Sequence, residues 1–199
     1  MEKVIKVVVG LYGTNCYLLK ENKEVIIIDP GKEANKIISN ISKDEKVVGI
    51  ILTHGHFDHI DAVDDLVDYY KCDVYMNFKD KEMLNHKLNS AYGYFGKVKS
   101  EVKPLKENDF VLGSFKLEII STPGHSDGSI LIKYKNHLFT GDTLFKNSIG
   151  RTDLITGNNK KMYQSINLIK TLDPNLKVYP GHGEITTLKE ELRYNPFYR

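Results

Sequence analysis

The 199-residue chain has no tryptophan, only two cysteines and only six prolines. Cys16 and Cys72 stand far apart with no CxxC spacing. That excludes a disulfide framework and points to a reducing, cytoplasmic compartment, with both cysteines as small core fillers. Long hydrophobic runs are missing as well, and none approaches the ~18 residues of a membrane span. The opening Met1-Glu2-Lys3-Val4-Ile5-Lys6-Val7 lacks the apolar stretch of a signal peptide, so neither a leader nor a membrane partner is expected. Charge of one sign is also lacking. Lys and Arg number 28 against 26 Asp and Glu, a net charge of +2 that offers nucleic acid no strong field. The densest basic stretch, Lys97, Lys99, Lys103 and Lys106, is broken by Glu101 and Glu107 and reads as a solvated face. No Ser/Gly/Pro linker or low-complexity segment divides the chain. Residues 1–199 are therefore expected to form one domain, which at this length buries roughly 70% of its unfolded surface.

What is present is a patterned succession of short elements. Periodicity places strands at Val4–Val9, Asn15–Leu19 and Val25–Asp29, the last closing on the turn Asp29-Pro30-Gly31. A helix over Lys32–Asn40 leads to a buried strand at Val47–Leu52 and a helix at Asp61–Tyr70. A short strand at Asp73–Met76 and a short helix at Lys79–Asn85 follow. Residues 86–103 are less regular, with Tyr92, Tyr94 and Phe95 set among glycines. The second half reads as antiparallel strands at Phe110–Leu112, Phe115–Ser121, Ile130–Lys135 and His137–Thr140. A helix at Lys160–Leu172, a strand at Lys177–Tyr179 and a helix at Thr187–Arg193 complete it. Strands running into helices in both halves imply an α/β (α+β) fold, with two sheets face to face, helices outside and strand ends gathered on one edge.

Three of the seven histidines fall in Thr53-His54-Gly55-His56-Phe57-Asp58-His59, on the loop between a buried strand and a helix. His125 and His182 lie in glycine-bracketed turns, Pro123-Gly124-His125-Ser126 and Pro180-Gly181-His182-Gly183. Imidazole nitrogens with carboxylate oxygens suit zinc first, and iron or manganese as well. His54 and His56, two apart on extended backbone, point to one side. With His125 they supply three nitrogens to one ion. Asp58, His59 and His182 supply a second ion, and Asp142, at the end of the apolar run Leu138-Phe139-Thr140, is placed to bridge the two. The isolated His86 and His137 are expected to be ordinary hydrogen-bonding residues.

At this point the chain resembles a known family. Residues 53–59 resemble the HxHxDH signature of the metallo-β-lactamase superfamily, and His125, Asp142 and His182 match its later motifs in order. The resemblance implies a four-layer αββα sandwich holding two divalent ions, with Asp29 bracing the metal loop. Within that superfamily, Phe139-Thr140-Gly141-Asp142-Thr143-Leu144-Phe145 and Ser148-Ile149-Gly150-Arg151-Thr152-Asp153-Leu154 are similar to glyoxalase II, the hydroxyacylglutathione hydrolases, in their short bacterial form. The implied activity is a thioesterase that cleaves small-molecule S-acyl conjugates such as S-lactoylglutathione by attack of hydroxide made at the metals. Asp58 orients that hydroxide and Asp142 holds the ions together. Arg151 is expected to meet an anionic group of the substrate, and Tyr92, with Tyr94 and Phe95, to line the entrance.

Arg151 and Asp153 stand where those larger enzymes contact glutathione through a lysine and a tyrosine, and the chain ends soon after the last motif, without their helical extension. The thiol carrier is therefore open, as is the choice between monomer and homodimer. The alternative activity is that of the persulfide dioxygenases, which share a Gly-Arg-Thr-Asp run like Gly150–Asp153 and use one iron, here on His54, His125 and Asp142. Lactamase and nuclease activities are expected less.

Overall fold

Neighbouring side chains of a strand point to opposite faces, so a strand that is apolar at every position needs cover on both sides. Val25–Ile28 and Ile50–Leu52 are such runs. A computed structural model, describing residues 2–85 and 97–198, shows what covers them. β1 (Lys3–Val9), β2 (Thr14–Glu21), β3 (Glu24–Ile28), β4 (Lys46–Leu52), β5 (Val74–Met76) and β6 (Val102–Pro104) form one sheet in chain order. It is antiparallel from β1 to β3 and parallel from β3 to β6. The second sheet comprises β7 (Asn108–Leu112), β8 (Phe115–Ser121), β9 (Ile130–Tyr134), β10 (His137–Gly141), β13 (Lys177–Pro180) and β14 (Thr186–Thr187), with β13 parallel to β10. Between β10 and β13 lies a two-stranded ribbon, β11 (Leu144–Phe145) and β12 (Ser148–Ile149).

Side-chain alternation sorts the core into three layers. Tyr17, Leu19, Ile26, Ile28 and Ile51 of the first sheet meet Phe115, Ile130, Ile132 and Phe139 of the second. Their neighbours Cys16, Leu18, Val25, Ile27, Ile50 and Leu52 turn the other way, toward α1 (Ala34–Ile38) and α2 (Val63–Tyr70). On the far side Leu131, Leu138 and Val178 turn toward α3 (Asn159–Ile169) and α4 (Leu188–Tyr194), which present Met162, Ile166, Ile169 and Leu188. The order helix, sheet, sheet, helix is the αββα sandwich that the resemblance implied. Cys16 is a buried filler of the first layer, and Cys72 packs partly buried against it.

Several element bounds differ from those read in the sequence, and the departures have local causes. The helix expected over Lys32–Asn40 is only Ala34–Ile38. Glu33 is left-handed and its carboxylate accepts from the Gly10 amide, while Ser39 and Asn40 side chains bond back to the Lys36 carbonyl. Such side-chain bonds compete with helix continuation. The helix expected from Asp61 starts at Val63, because the Asp61 and Ala62 amides donate to Gly31 and Pro30 carbonyls. Lys79–Asn85 is a 3₁₀ helix, Phe78–Leu84. Part of the stretch read as irregular is β6, where Lys103 pairs with Asp73 at 2.7 Å. α4 carries a capping box between Thr187 and Glu190. Among the described residues no helix is long and apolar enough to cross a membrane.

The inter-sheet layer sets the stability of the sandwich. Phe115 has no solvent exposure, and Phe115→Ala is expected to lower unfolding free energy by about 3–5 kcal/mol. The chemical-denaturation midpoint and slope measure it; a loss under 1 kcal/mol would mean that this layer is not close-packed.

Candidate metal centre

Four strands open onto one edge of the sandwich, and each delivers ligands there. After β4 come His54 and His56 on a loop, then Asp58 and His59 in a single 3₁₀ turn, Phe57–His59. His125 follows β8, Asp142 follows β10 and His182 follows β13. The structure thus brings together all seven residues read as ligands. Donor atoms of His54, His56 and His125 lie within 4.8 Å of one another, as do those of Asp58, His59 and His182. Asp142 lies between the sets. Its Oδ1 is 3.4 Å from His59 Nε2, and its Oδ2 is 3.5 Å from both His125 Nε2 and His182 Nε2.

The backs of the imidazoles explain why their fronts converge. A neutral imidazole carries one N–H and one lone pair, so an acceptor behind the ring fixes which nitrogen faces forward. His125 Nδ1 donates to the Arg151 carbonyl at 2.8 Å, and His182 Nδ1 to the Tyr12 carbonyl at 3.2 Å. His59 Nδ1 donates to Asp29 Oδ2 at 3.0 Å. Thr53 gives its hydroxyl hydrogen to the same Asp29 Oδ2 at 2.6 Å, leaving its oxygen to accept from His54 Nδ1 at 3.1 Å. All four rings therefore turn Nε2 toward the site, where the lone pair is exposed once the ring is neutral. Asp29, expected to brace the metal loop, also accepts the Thr53 amide at 2.7 Å and so orients two rings at once.

The second half is clamped by β2. Asn15 donates to the Pro180 and Gly183 carbonyls, and Tyr17 donates to the Pro180 carbonyl at 2.7 Å. The Thr14 hydroxyl donates to Asp58 Oδ2 at 3.0 Å. Gly181 permits the close approach of Asp142: a Cβ there would lie 2.1 Å from Asp142 Oδ1.

Electrostatics divide the histidines. Burial, then the neighbouring His59, hold His54 well below its usual pKa, and burial with His125 takes His56 down to about 3. Burial also disfavours charge on His59 and His182, but the carboxylates win. Asp58, Asp142 and Asp29 raise His59 to about 9, and Asp142 and Asp58 raise His182 to about 10. Asp58 itself is pulled down to about 2, against burial, by His59 and His182. The site thus demands positive charge beside its carboxylates. His54 Nε2 is buried with no hydrogen-bond partner, and Asp142 Oδ1 is buried and accepts no hydrogen bond. This donor set fits two divalent cations.

In front of the ligands runs a groove of about 500 Å³, walled by Tyr12, Phe57, Phe145, Ile149 and Leu154. Tyr12 and Phe57 meet edge to face at 5.2 Å. Arg151 lies at the rim, where its guanidinium forms a double hydrogen bond to Asp153 at 2.7 and 2.6 Å. The salt bridge is thus the contact seen, rather than an open cation. Tyr92, Tyr94, Phe95 and His86 lie outside the described residues. His137 is in β10, far along the strand from Asp142, and bonds Tyr179 Oη at 3.0 Å. Sequence reading missed Tyr12, whose turn was signalled by Gly10 and Gly13, and Asp80, whose buried carboxylate accepts the Gly55 amide and has no sequence signal.

The fold agrees with comparison to known proteins. Residues 9–182 match the family described as the metallo-beta-lactamase superfamily, and the chain belongs to it. A Bacillus subtilis protein named probable metallo-hydrolase YqgX is 35% identical over 198 residues, spanning 95% of this chain and 94% of that one. The crystal structure titled BLEG-1 B3 metallo-beta-lactamase superposes with a TM-score of 0.92 at 34% identity, covering 98% of this chain and 99% of that one. TTHA1623 in a di-iron-bound form superposes with a TM-score of 0.89 at 33% identity, covering 97% and 99%.

The two raised histidines give metal binding a directed pH dependence. Metal-free, His59 and His182 keep protons until pH passes about 9 and about 10. An ion on Asp58, His59 and His182 must displace them, so its affinity is expected to rise from pH 7 toward pH 10, with proton release on binding. His54 and His56 are already neutral across this range and add no such dependence. Chelator competition at several pH values, with calorimetry in buffers of different ionisation enthalpy, measures both; pH-independent binding without proton release would contradict it.

Proposed function

We propose that the chain is a dinuclear metal-dependent hydrolase acting on small-molecule thioesters, in the manner of the short glyoxalase II enzymes. Asp142 carries the reading: one buried carboxylate lies within 3.4–3.5 Å of ring nitrogens from both ligand sets. Bound on these residues, two divalent ions supply hydroxide at neutral pH and polarise an acyl carbonyl. The chain's own residues do the rest. Asp58, kept ionised and steadied by Thr14, orients the attacking water through its free lone pairs. The apolar groove walls hold the acyl part and keep bulk water from the reacting carbonyl. At the rim, Arg151 is matched by Asp153, so an anionic tail on the substrate has to compete with a bidentate ion pair. The probable metallo-hydrolase relative supports hydrolysis as the reaction type. Nitrogen and oxygen donors suit zinc, and the di-iron form of the TTHA1623 structure supports iron equally well.

A second reading has one observation in its favour. His125 Nε2 lies 3.5 Å from Asp142 Oδ2 and a His125 ring nitrogen lies within 4.8 Å of one of His54, which gathers the three-ligand set His54, His125 and Asp142 that a mononuclear iron persulfide dioxygenase uses. The likeness to BLEG-1, a B3 metallo-beta-lactamase, brings β-lactams into the substrate panel.

Metal analysis with parallel assays on S-lactoylglutathione, an acyl-coenzyme A, a β-lactam and glutathione persulfide separates these readings. Two ions per chain with thioester cleavage is expected. Asp142→Ala is expected to cost more than the ~10–100-fold typical of changes behind the ligands while leaving circular dichroism unchanged. Full thioesterase activity in that variant sinks the dinuclear scheme, and one iron with oxygen uptake replaces it with the second reading.

A further inference from the structure

Between the loops of the first ligand set lies a carboxylate that the scheme above does not use. Asp80, in the 3₁₀ helix Phe78–Leu84, has no solvent exposure. A buried carboxylate is costly unless its lone pairs are filled. Among the described residues no lysine or arginine pairs with it, and three donors fill it instead. The Gly55 amide, between His54 and His56, donates to Oδ2 at 3.0 Å. The Ser126 hydroxyl, beside His125, donates to Oδ2 at 2.6 Å, and the Gly128 amide donates to Oδ1 at 2.6 Å. Ser129 Oγ accepts the Ser126 amide at 3.1 Å and lies 2.7 Å from the Ser126 hydroxyl, which secures the turn.

The approach is close from both sides. A Cβ on Gly55 would lie 2.7 Å from Met83 Cβ and 3.2 Å from Asp80 Cβ, and one on Gly128 would lie 2.6 Å from Asp80 Cγ. Gly55 belongs to the loop after β4 in the first sheet, whereas Ser126 and Gly128 belong to the turn after β8 in the second. His54 and His56 come from one sheet and His125 from the other, so their spacing depends on what ties these two segments together. Asp80 ties them.

We propose that Asp80 is a positioning residue for the first ligand set, an inference that rests on the metal-centre reading. Its carboxylate holds the His54–His56 loop and the His125 turn at ligating separation, and thereby sets the affinity for the ion they share without touching it. All three partners are donors and both oxygens are used. An asparagine offers one oxygen and an amide that itself donates, so at least one N–H or O–H is left facing another donor.

The test measures metal affinity in the full-length protein by chelator competition with zinc and cobalt. A His182→Ala background reports the first set and a His56→Ala background the second. Asp80→Asn is expected to weaken the first set by about 10–100-fold and the second by less than about threefold. Ser126→Ala, which removes one of the three donors, is expected to weaken the first set by about three- to tenfold and serves if Asp80→Asn does not fold. Asp64→Asn is the control: that carboxylate also accepts from backbone amides, at Lys99 and Ser100, but away from the site, and its loss should leave both affinities unchanged. Unchanged first-set affinity in Asp80→Asn or Ser126→Ala overturns the proposal alone, as does equal weakening of both sets. Failure of either background to bind an ion overturns the metal-centre reading and this proposal with it.

Discussion

The site depends on the Asp29 carboxylate and on what it forces along a chain of hydrogen bonds. Asp29 has only acceptors to offer, so the Thr53 hydroxyl and His59 Nδ1 must both donate to it. Once Thr53 has spent its hydrogen, it can only accept, and His54 Nδ1 must supply the proton. Two rings are thereby fixed with Nε2 forward, by one carboxylate that never enters the site. Burial strengthens the effect, because Asp29 is 2% exposed and neither ring can exchange its partner for water. Backbone carbonyls of Arg151 and Tyr12 do the same for His125 and His182.

This arrangement is only possible because the sandwich has two sheets whose strand ends meet. Asp29 ends β3, Thr53 ends β4, and the two strands are parallel neighbours, so both residues leave the sheet at the same level. Asp29 adopts a left-handed φ of 51°, which turns the chain off the strand and its side chain back toward Thr53. The second sheet supplies His125, Asp142 and His182 from β8, β10 and β13, which run in a common direction. The inter-sheet layer around Phe115 and Phe139 therefore positions the ligands as well as stabilising the fold.

Much of this was legible in the sequence, for reasons that also mark where reading stops. The strands of the two sheets were visible because Val25–Ile28 and Ile50–Leu52 are apolar at every position, which only double cover allows. The seven candidate ligands were visible because histidine and aspartate concentrate at strand ends beside glycine. Helix bounds were less legible, since Glu33, Ser39 and Asn40 divert helical hydrogen bonds into contacts with groups that sequence spacing does not reveal. Asp80 was illegible for a related reason. In sequence it is one acid among Lys79, Lys81 and Glu82, a pattern that reads as a solvated face. Only the 3₁₀ turn and the packing of Met83 direct its carboxylate inward. Tyr12 and Phe57, which form part of the described wall of the entrance, were less legible, because in sequence they are single aromatics in turns with no periodicity around them.

The charge balance bears on how many ions the site holds. Asp29, Asp58 and Asp142 surround His59 and His182, and their negative charge is what lifts both rings so far. Positive charge beside Asp142 is therefore present either way, as protons or as a cation. An ion shared by His54, His125 and Asp142 would supply that charge at Asp142 and leave Asp58 facing His59 and His182. Asp58 meets His182 at 3.2 Å through Oδ2, the oxygen that also accepts from Thr14. An ion on the second set would take the place of the protons on His59 and His182. The second set thus couples ion binding to the release of protons from beside Asp58. The dinuclear and mononuclear readings therefore differ in what neutralises Asp58, an ion in the first and protons in the second, and occupancy of the second set is what separates them.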